Sequence, residues 1–115
     1  MIYTSYFSSK KYNPKDAVSV ARFVKFPVAA TCPELYPPEE LLKWWKKLGP
    51  ICQNRNWSRY VEAYKEEVLS RLNVHELAAK LEGKVLLCYE KSSDFCHRHV
   101  IAEWFKENGY ECEEL

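Results

Sequence analysis

The stretch Lys84-Val85-Leu86-Leu87-Cys88-Tyr89 narrows the folds open to this chain more than any other segment. A strand with one wet face would alternate apolar and polar residues. This run does not, so it suits a strand covered on both faces, the central strand of a parallel sheet. The next ten residues are opposite in character: almost every one from Glu90 to His99 is polar or ionisable. A final helix is expected from about Cys96 to Asn108. Val100, Ile101, Trp104 and Phe105 form its buried stripe, and Asn108-Gly109 is its C-cap.

The remaining segments fit around that strand. Ile2 to Phe7 is aromatic and β-branched and reads as a first strand. The turn signal Asn13-Pro14-Lys15-Asp16 precedes Ala17 to Ala21, a second, short strand. From Pro27 to Pro38 repeated prolines predict an irregular excursion. Helices are expected from Pro38 to about Lys47, stopped by Gly49-Pro50; from near Asn56 or Ser58 to about Leu72; and over Leu77 to Leu81, ended by Gly83. Tyr110 to Leu115 reads as an edge strand. This order predicts one α/β domain over residues 1–115, with a mostly parallel sheet of about four strands.

Composition excludes several function classes. Seventeen basic against sixteen acidic residues give no global field toward nucleic acid or an anionic membrane, so any nucleic-acid role must rest on a local patch such as Lys43, Lys46 and Lys47 with Trp44 and Trp57. No run approaches the roughly 20 apolar residues that span a bilayer. The start, Met1-Ile2-Tyr3-Thr4-Ser5, lacks the features of a secretory signal. Five cysteines without paired short spacings do not read as a disulfide framework. A reducing, cytoplasmic setting is expected.

The loop from Glu90 to Arg98 is the expected functional site, because open parallel sheets bind ligands at the carboxyl ends of their strands. With Asp94 or Ser93 as N-cap, Cys96, His97 and Arg98 occupy the first helical turn, where free amides favour an anion. Helical phase sets His97 facing the sheet, able to orient Glu90 or act as general base, while Cys96 and Arg98 flank the stripe and His99 turns away toward Glu103. A cysteine there, beside a histidine and an arginine, has the environment of a nucleophilic thiolate. The competing reading makes Cys96 a small buried residue and His97 a hydrogen-bonded core histidine. Arg98 suits a phosphate or carboxylate, and Lys91 is either solvated or a second anion contact. Cys88, Cys96, His97 and His99 match no standard zinc spacing, so no metal is expected, and no cofactor is indicated.

Leu86-Leu87-Cys88-Tyr89-Glu90-Lys91 followed by Phe95-Cys96-His97-Arg98 resembles the hallmark of DUF488, a bacterial and phage family of unknown function whose pattern is Leu-Leu-Cys-x-Glu-x, a short loop, then Cys-His-Arg at a helix start. The opening Ile2-Tyr3-Thr4-Ser5 is similar to the family's first strand. Where many larger members have Asp-Val-Arg, this chain has Val20-Ala21-Arg22. The resemblance implies a small, three-layer Rossmann-like fold and no particular reaction.

Together these lines bring Tyr3 or Tyr6, Arg22, Glu90, Cys96, His97 and Arg98 to one carboxyl edge, if the first, second and central strands are parallel. Two functions are then open. One is a small enzyme acting on a phosphorylated or nucleotide-like substrate, with Arg22 and Arg98 holding the anion, Cys96 as nucleophile, and His97 and Glu90 handling protons. The other is a non-catalytic nucleotide- or anion-binding module.

Overall fold

In the computed structural model, which describes residues 1–22, 28–90 and 94–115, the two most apolar strands lie beside each other at the heart of a sheet. β1 (Ile2–Tyr6), β2 (Ala17–Ser19), β3 (Ala30–Thr31), β4 (Val85–Cys88) and β5 (Cys112–Glu114) pair in the spatial order β3-β2-β4-β1-β5. Every pairing is parallel. All residues of β2 and β4 are buried, so both faces of the sheet centre are covered, as an uninterrupted apolar run requires. The fold is Rossmann-like α/β, and the described residues form four α-helices and one parallel strand more than expected. The addition is β3, only two residues long, inside the proline-rich excursion.

β1 and β2 are parallel without pairing with each other, so the connection between them is a crossover that passes over one strand. β4 lies between them, with Thr4 and Val18 both opposite Leu86. The short connection carries only a 3-10 turn, Pro14–Asp16, capped by the Asn13 side chain.

The helices are α1 (Glu39–Lys47), α2 (Pro50–Glu67), α3 (Val74–Leu81) and α4 (His97–Glu107). α2 begins well before the expected start. Gly49-Pro50 stops α1 and at once opens α2, with Pro50 at the first position, where its missing N–H costs nothing. The Asn73 carboxamide oxygen accepts from the amides of His75 and Glu76 and starts α3. Gly83, at φ 76°, turns the chain toward β4, and its amide donates to the Met1 carbonyl, setting β4 alongside β1.

α4 also begins later than expected. Its N-cap is Cys96, without a side-chain capping bond, rather than Asp94 or Ser93. Asp94 lies outside the helix, and Ser93 lies outside the described residues. In parallel register Cys112 and Glu114 of β5 fall beside Ile2 and Thr4, on the same face as Leu86 and Cys88. α4 packs over that face, where Ile101 and Phe105 are fully buried.

Candidate functional site

The site is built where β2 and β4 end. After β2, the Ser19 hydroxyl accepts from the Ala21 amide and donates to the Ala21 carbonyl, both at 3.2 Å, and holds a sharp bend. The bend aims the Val20 carbonyl at α4 and puts Arg22 on a cavity wall. After β4, Tyr89 and Glu90 reach the same cavity, and the start of α4 closes it with Cys96 and His97.

This inner cavity measures about 50 Å³. It shares Trp45, Lys46, Glu90 and Phe95 with a wider outer cleft of about 410 Å³. The walls are largely aromatic. Trp57 stacks on Tyr60 with ring centroids 5.3 Å apart, Trp45 lies 5.0 Å from Tyr60, and Phe95 lies 5.0 Å from Trp57. Burial and the neighbouring Glu90 charge push the Tyr60 phenol well above its ordinary pKa, so it stays protonated.

His97 has a definite tautomer. Its Nε2 lies 2.7 Å from the Val20 carbonyl oxygen, which can only accept, so Nε2 carries the proton and donates. Burial lowers the ring's pKa to about 4, against a smaller opposing effect from the Val20 bond, so the ring is neutral near pH 7. Nδ1 is therefore left with its lone pair, 3.8 Å from the Cys96 sulfur. The inward orientation of His97 is as expected, but its partner is a backbone carbonyl and not Glu90.

Cys96 differs from expectation. Its sulfur is joined to that of Cys88 in a disulfide, while Cys32, Cys52 and Cys112 are free. Spacing gives no sign of this pair. It forms because Cys88, the last residue of β4, and Cys96, the N-cap of α4, converge on one cavity wall across the intervening loop.

Arg98 is not on the rim. It is fully buried, with Nε 3.1 Å and Nη2 2.8 Å from the two carboxylate oxygens of Glu114. Nη1 donates to the Cys88 sulfur at 2.9 Å and to the Glu90 carbonyl at 2.6 Å. Glu114 also accepts from the Thr4 hydroxyl. Arg98 thus ties α4 to β5 and to the end of β4. The other arginine, Arg22, does line the cavity. Its Nε donates to the Pro37 carbonyl at 3.0 Å and its guanidinium sits 5.8 Å from the Tyr36 ring centre. No carboxylate among the described residues pairs with it.

The remaining expected residues separate. Tyr3 is level with Val85, at the amino end of the sheet, and Tyr6 is level with Cys88, but neither lines the cavity. Lys91 lies outside the described residues. His99 turns away from the cavity; its Nε2 lies 3.1 Å from the Asp94 carbonyl, and with Glu103 it borders a different surface cleft.

Two features lie beyond the sequence reading. Trp45, Trp57 and Tyr60 fit helical core stripes, and nothing in their spacing marks them as a cavity wall. Glu114 was detectable: it shares strand parity with the buried Cys112, so a carboxylate facing inward calls for a cation.

Against known proteins, one family model matches, over residues 10–109: DUF488-N3a, described as the active DUF488-N3 subclade. No curated protein and no solved structure matches the chain.

Proposed function

Since the chain belongs to the DUF488 family, whose matching subclade is described as active, we propose that it is a small enzyme acting on a phosphorylated or nucleotide-like substrate in the cavity between β2, β4 and α4. One observation carries this reading: an arginine without a carboxylate partner among the described residues, a carboxylate, and a histidine with an unprotonated Nδ1 beside a cysteine sulfur share one aromatic-walled cavity. Arg22 holds the anionic group. The aromatic walls take a planar base across the outer cleft, and the small inner cavity admits only the reacting end. His97 Nδ1 and Glu90 accept and return protons. The Cys96 sulfur anchors the reacting centre, and it is available for chemistry only when the bond to Cys88 is open.

The test is titration of the reduced protein with nucleoside mono- and diphosphates, read by tryptophan fluorescence for binding and by phosphorus NMR for turnover. Saturable quenching is expected, weakened in Arg22→Ala, with turnover lost in Cys96→Ser while quenching survives. Absence of both quenching and turnover for every nucleotide would sink the proposal.

A further inference from the structure

Among the described residues, Cys88, Cys96 and His97 form a buried cluster of metal-ligating side chains. The donor atoms of these three residues lie within 4.8 Å of one another, and all three residues are buried on the wall of the inner cavity. By contrast, the His99–Glu103 cleft is open and its histidine already faces a carbonyl. Ile51 is exposed, and nothing in the structure shows what would cover it.

We propose that, with the disulfide opened, the Cys88 and Cys96 thiolates and His97 Nδ1 form a three-ligand site for a divalent ion of the zinc class, whose fourth position faces the cavity. Four features of the structure support this. The Cys88 and Cys96 Cα atoms are 7.6 Å apart. That is wider than the roughly 4.4–6.8 Å usual for a disulfide, and within reach of two thiolates that meet on an ion, each about 2.3 Å from it. His97 Nδ1 stands 3.8 Å from the Cys96 sulfur, close to the edge of about 3.6 Å that a tetrahedron with ordinary zinc–sulfur and zinc–nitrogen bonds requires. The opposite ring nitrogen donates to the Val20 carbonyl, the outer contact that fixes tautomer and ring plane in metal-binding histidines. Finally, Arg98 donates to the Cys88 sulfur, which favours its thiolate, and Glu114 balances the arginine's charge. Two thiolates and a neutral imidazole around a divalent ion leave no net charge in this buried place.

Two equivalents of a small thiol reduce the Cys88–Cys96 bond, giving two protein thiols and one external disulfide. Binding then forms two metal–sulfur bonds and one metal–nitrogen bond and releases the two thiol protons to solvent. Three protein ligands with an open position are the arrangement of catalytic rather than structural zinc sites. The inference rests on the proposed enzymatic reading for its cavity and substrate, and changes two roles within it: with the ion bound, His97 Nδ1 and the Cys96 sulfur are ligands rather than a base and an anchor, and a water in the fourth position, with its pKa lowered by the ion, would face the substrate's reacting end. Glu90, on the same wall, is placed to take that water's proton.

The experiment titrates cobalt(II) alone into anaerobically reduced, chelator-treated full-length protein, with zinc then added as competitor. One equivalent should produce thiolate-to-cobalt charge-transfer bands and visible bands of tetrahedral intensity, both abolished by zinc. Cys88→Ser and Cys96→Ser should each weaken the charge-transfer band, and His97→Gln should lower cobalt affinity by more than about 100-fold. Absence of such bands in the wild-type protein overturns the proposal, as does their survival unchanged in all three variants. If a variant fails to fold, the wild-type spectrum and its loss on adding zinc decide alone. No substrate is present, so a positive cobalt spectrum with no nucleotide binding would remove only the proposed function, and nucleotide turnover by metal-free protein would remove only the metal.

Discussion

Arg22, on the cavity wall with Cys88 and Glu90, and Arg98, bonded to the Cys88 sulfur and the Glu90 carbonyl, both meet the end of β4 and are held in contrasting ways. Arg98 is sealed off from solvent, and its guanidinium is occupied by the Glu114 carboxylate, a sulfur and a carbonyl. Arg22 is braced by neutral groups, the Pro37 carbonyl and the Tyr36 ring, on a wall that ligands can reach. A buried cation needs a full set of acceptors within the protein, because its desolvation is otherwise uncompensated. A cation that is to bind an anion must instead keep donors unspent while its position is fixed. Under the proposed function the contrast gives Arg98 to architecture and Arg22 to recognition, and His97 is held in the same divided way, one nitrogen donating to Val20 and the other left open.

The largest effect that could break this contrast is on the Arg98 side. Glu114→Ala leaves a buried guanidinium without its carboxylate and should destabilise the protein by about 3–5 kcal/mol in urea unfolding. A loss under about 1 kcal/mol would show that Arg98 is solvated and would return it to the set of anion contacts.

Next comes pH. Burial lowers the His97 ring in the folded chain to about 4, from an ordinary value of 6.5. The unfolded chain therefore binds more protons between these values, and stability falls as pH drops through that window. The drop should be on the order of 3 kcal/mol, and His97→Gln should remove most of it. A wild-type stability that is flat from pH 6.5 to 4 would mean the ring is not buried against Val20.

On the Arg22 side the effect should appear in binding alone. Arg22→Ala should leave unfolding within about 0.5 kcal/mol of wild type yet weaken nucleotide binding by about 1.5–3 kcal/mol, roughly 10- to 150-fold, by isothermal titration. A fall in stability without a change in affinity would reverse the two assignments. The smallest effect sharpens the bracing: Tyr36→Leu, which removes the ring beside the guanidinium, should cost about 0.5–1 kcal/mol of affinity, a two- to fivefold change.

How much of this is legible in the sequence depends on whether the cause is local. β4 and its polar sequel can be read because an uninterrupted apolar run and its abrupt end are properties of the segment itself. The start of α2 cannot, because Gly49-Pro50 is a valid stop for one helix and a valid start for the next, and composition does not say that it does both. Arg98 reads as a rim residue because the size of Trp104 draws the apparent stripe toward it. The buried residues are His97, Arg98, Val100, Ile101, Ala102 and Phe105, of which Arg98, Ile101, Ala102 and Phe105 fall at i, i+3, i+4 and i+7, and Trp104 is only half-buried. The Cys88–Cys96 pairing and the grip of Val20 on His97 are out of reach, since both depend on where separate segments meet, and a backbone carbonyl has no sequence signature. The location of the site is therefore readable while the division of labour within it is not.

The two borders of the sheet carry a consequence of their own. Among the described residues β5 pairs with β1 alone, and Glu111, just before it, and Glu113, within it, are both exposed at this border of the sheet. At the far border β3 extends for just two residues, Ala30–Thr31. An all-parallel sheet with long, bare margins would invite further strands to add on, copy after copy. Here one border would offer an incoming copy like charge and the other is only two residues long, so the glutamate-rich strand that holds Arg98 inside should also disfavour the addition of a second copy outside.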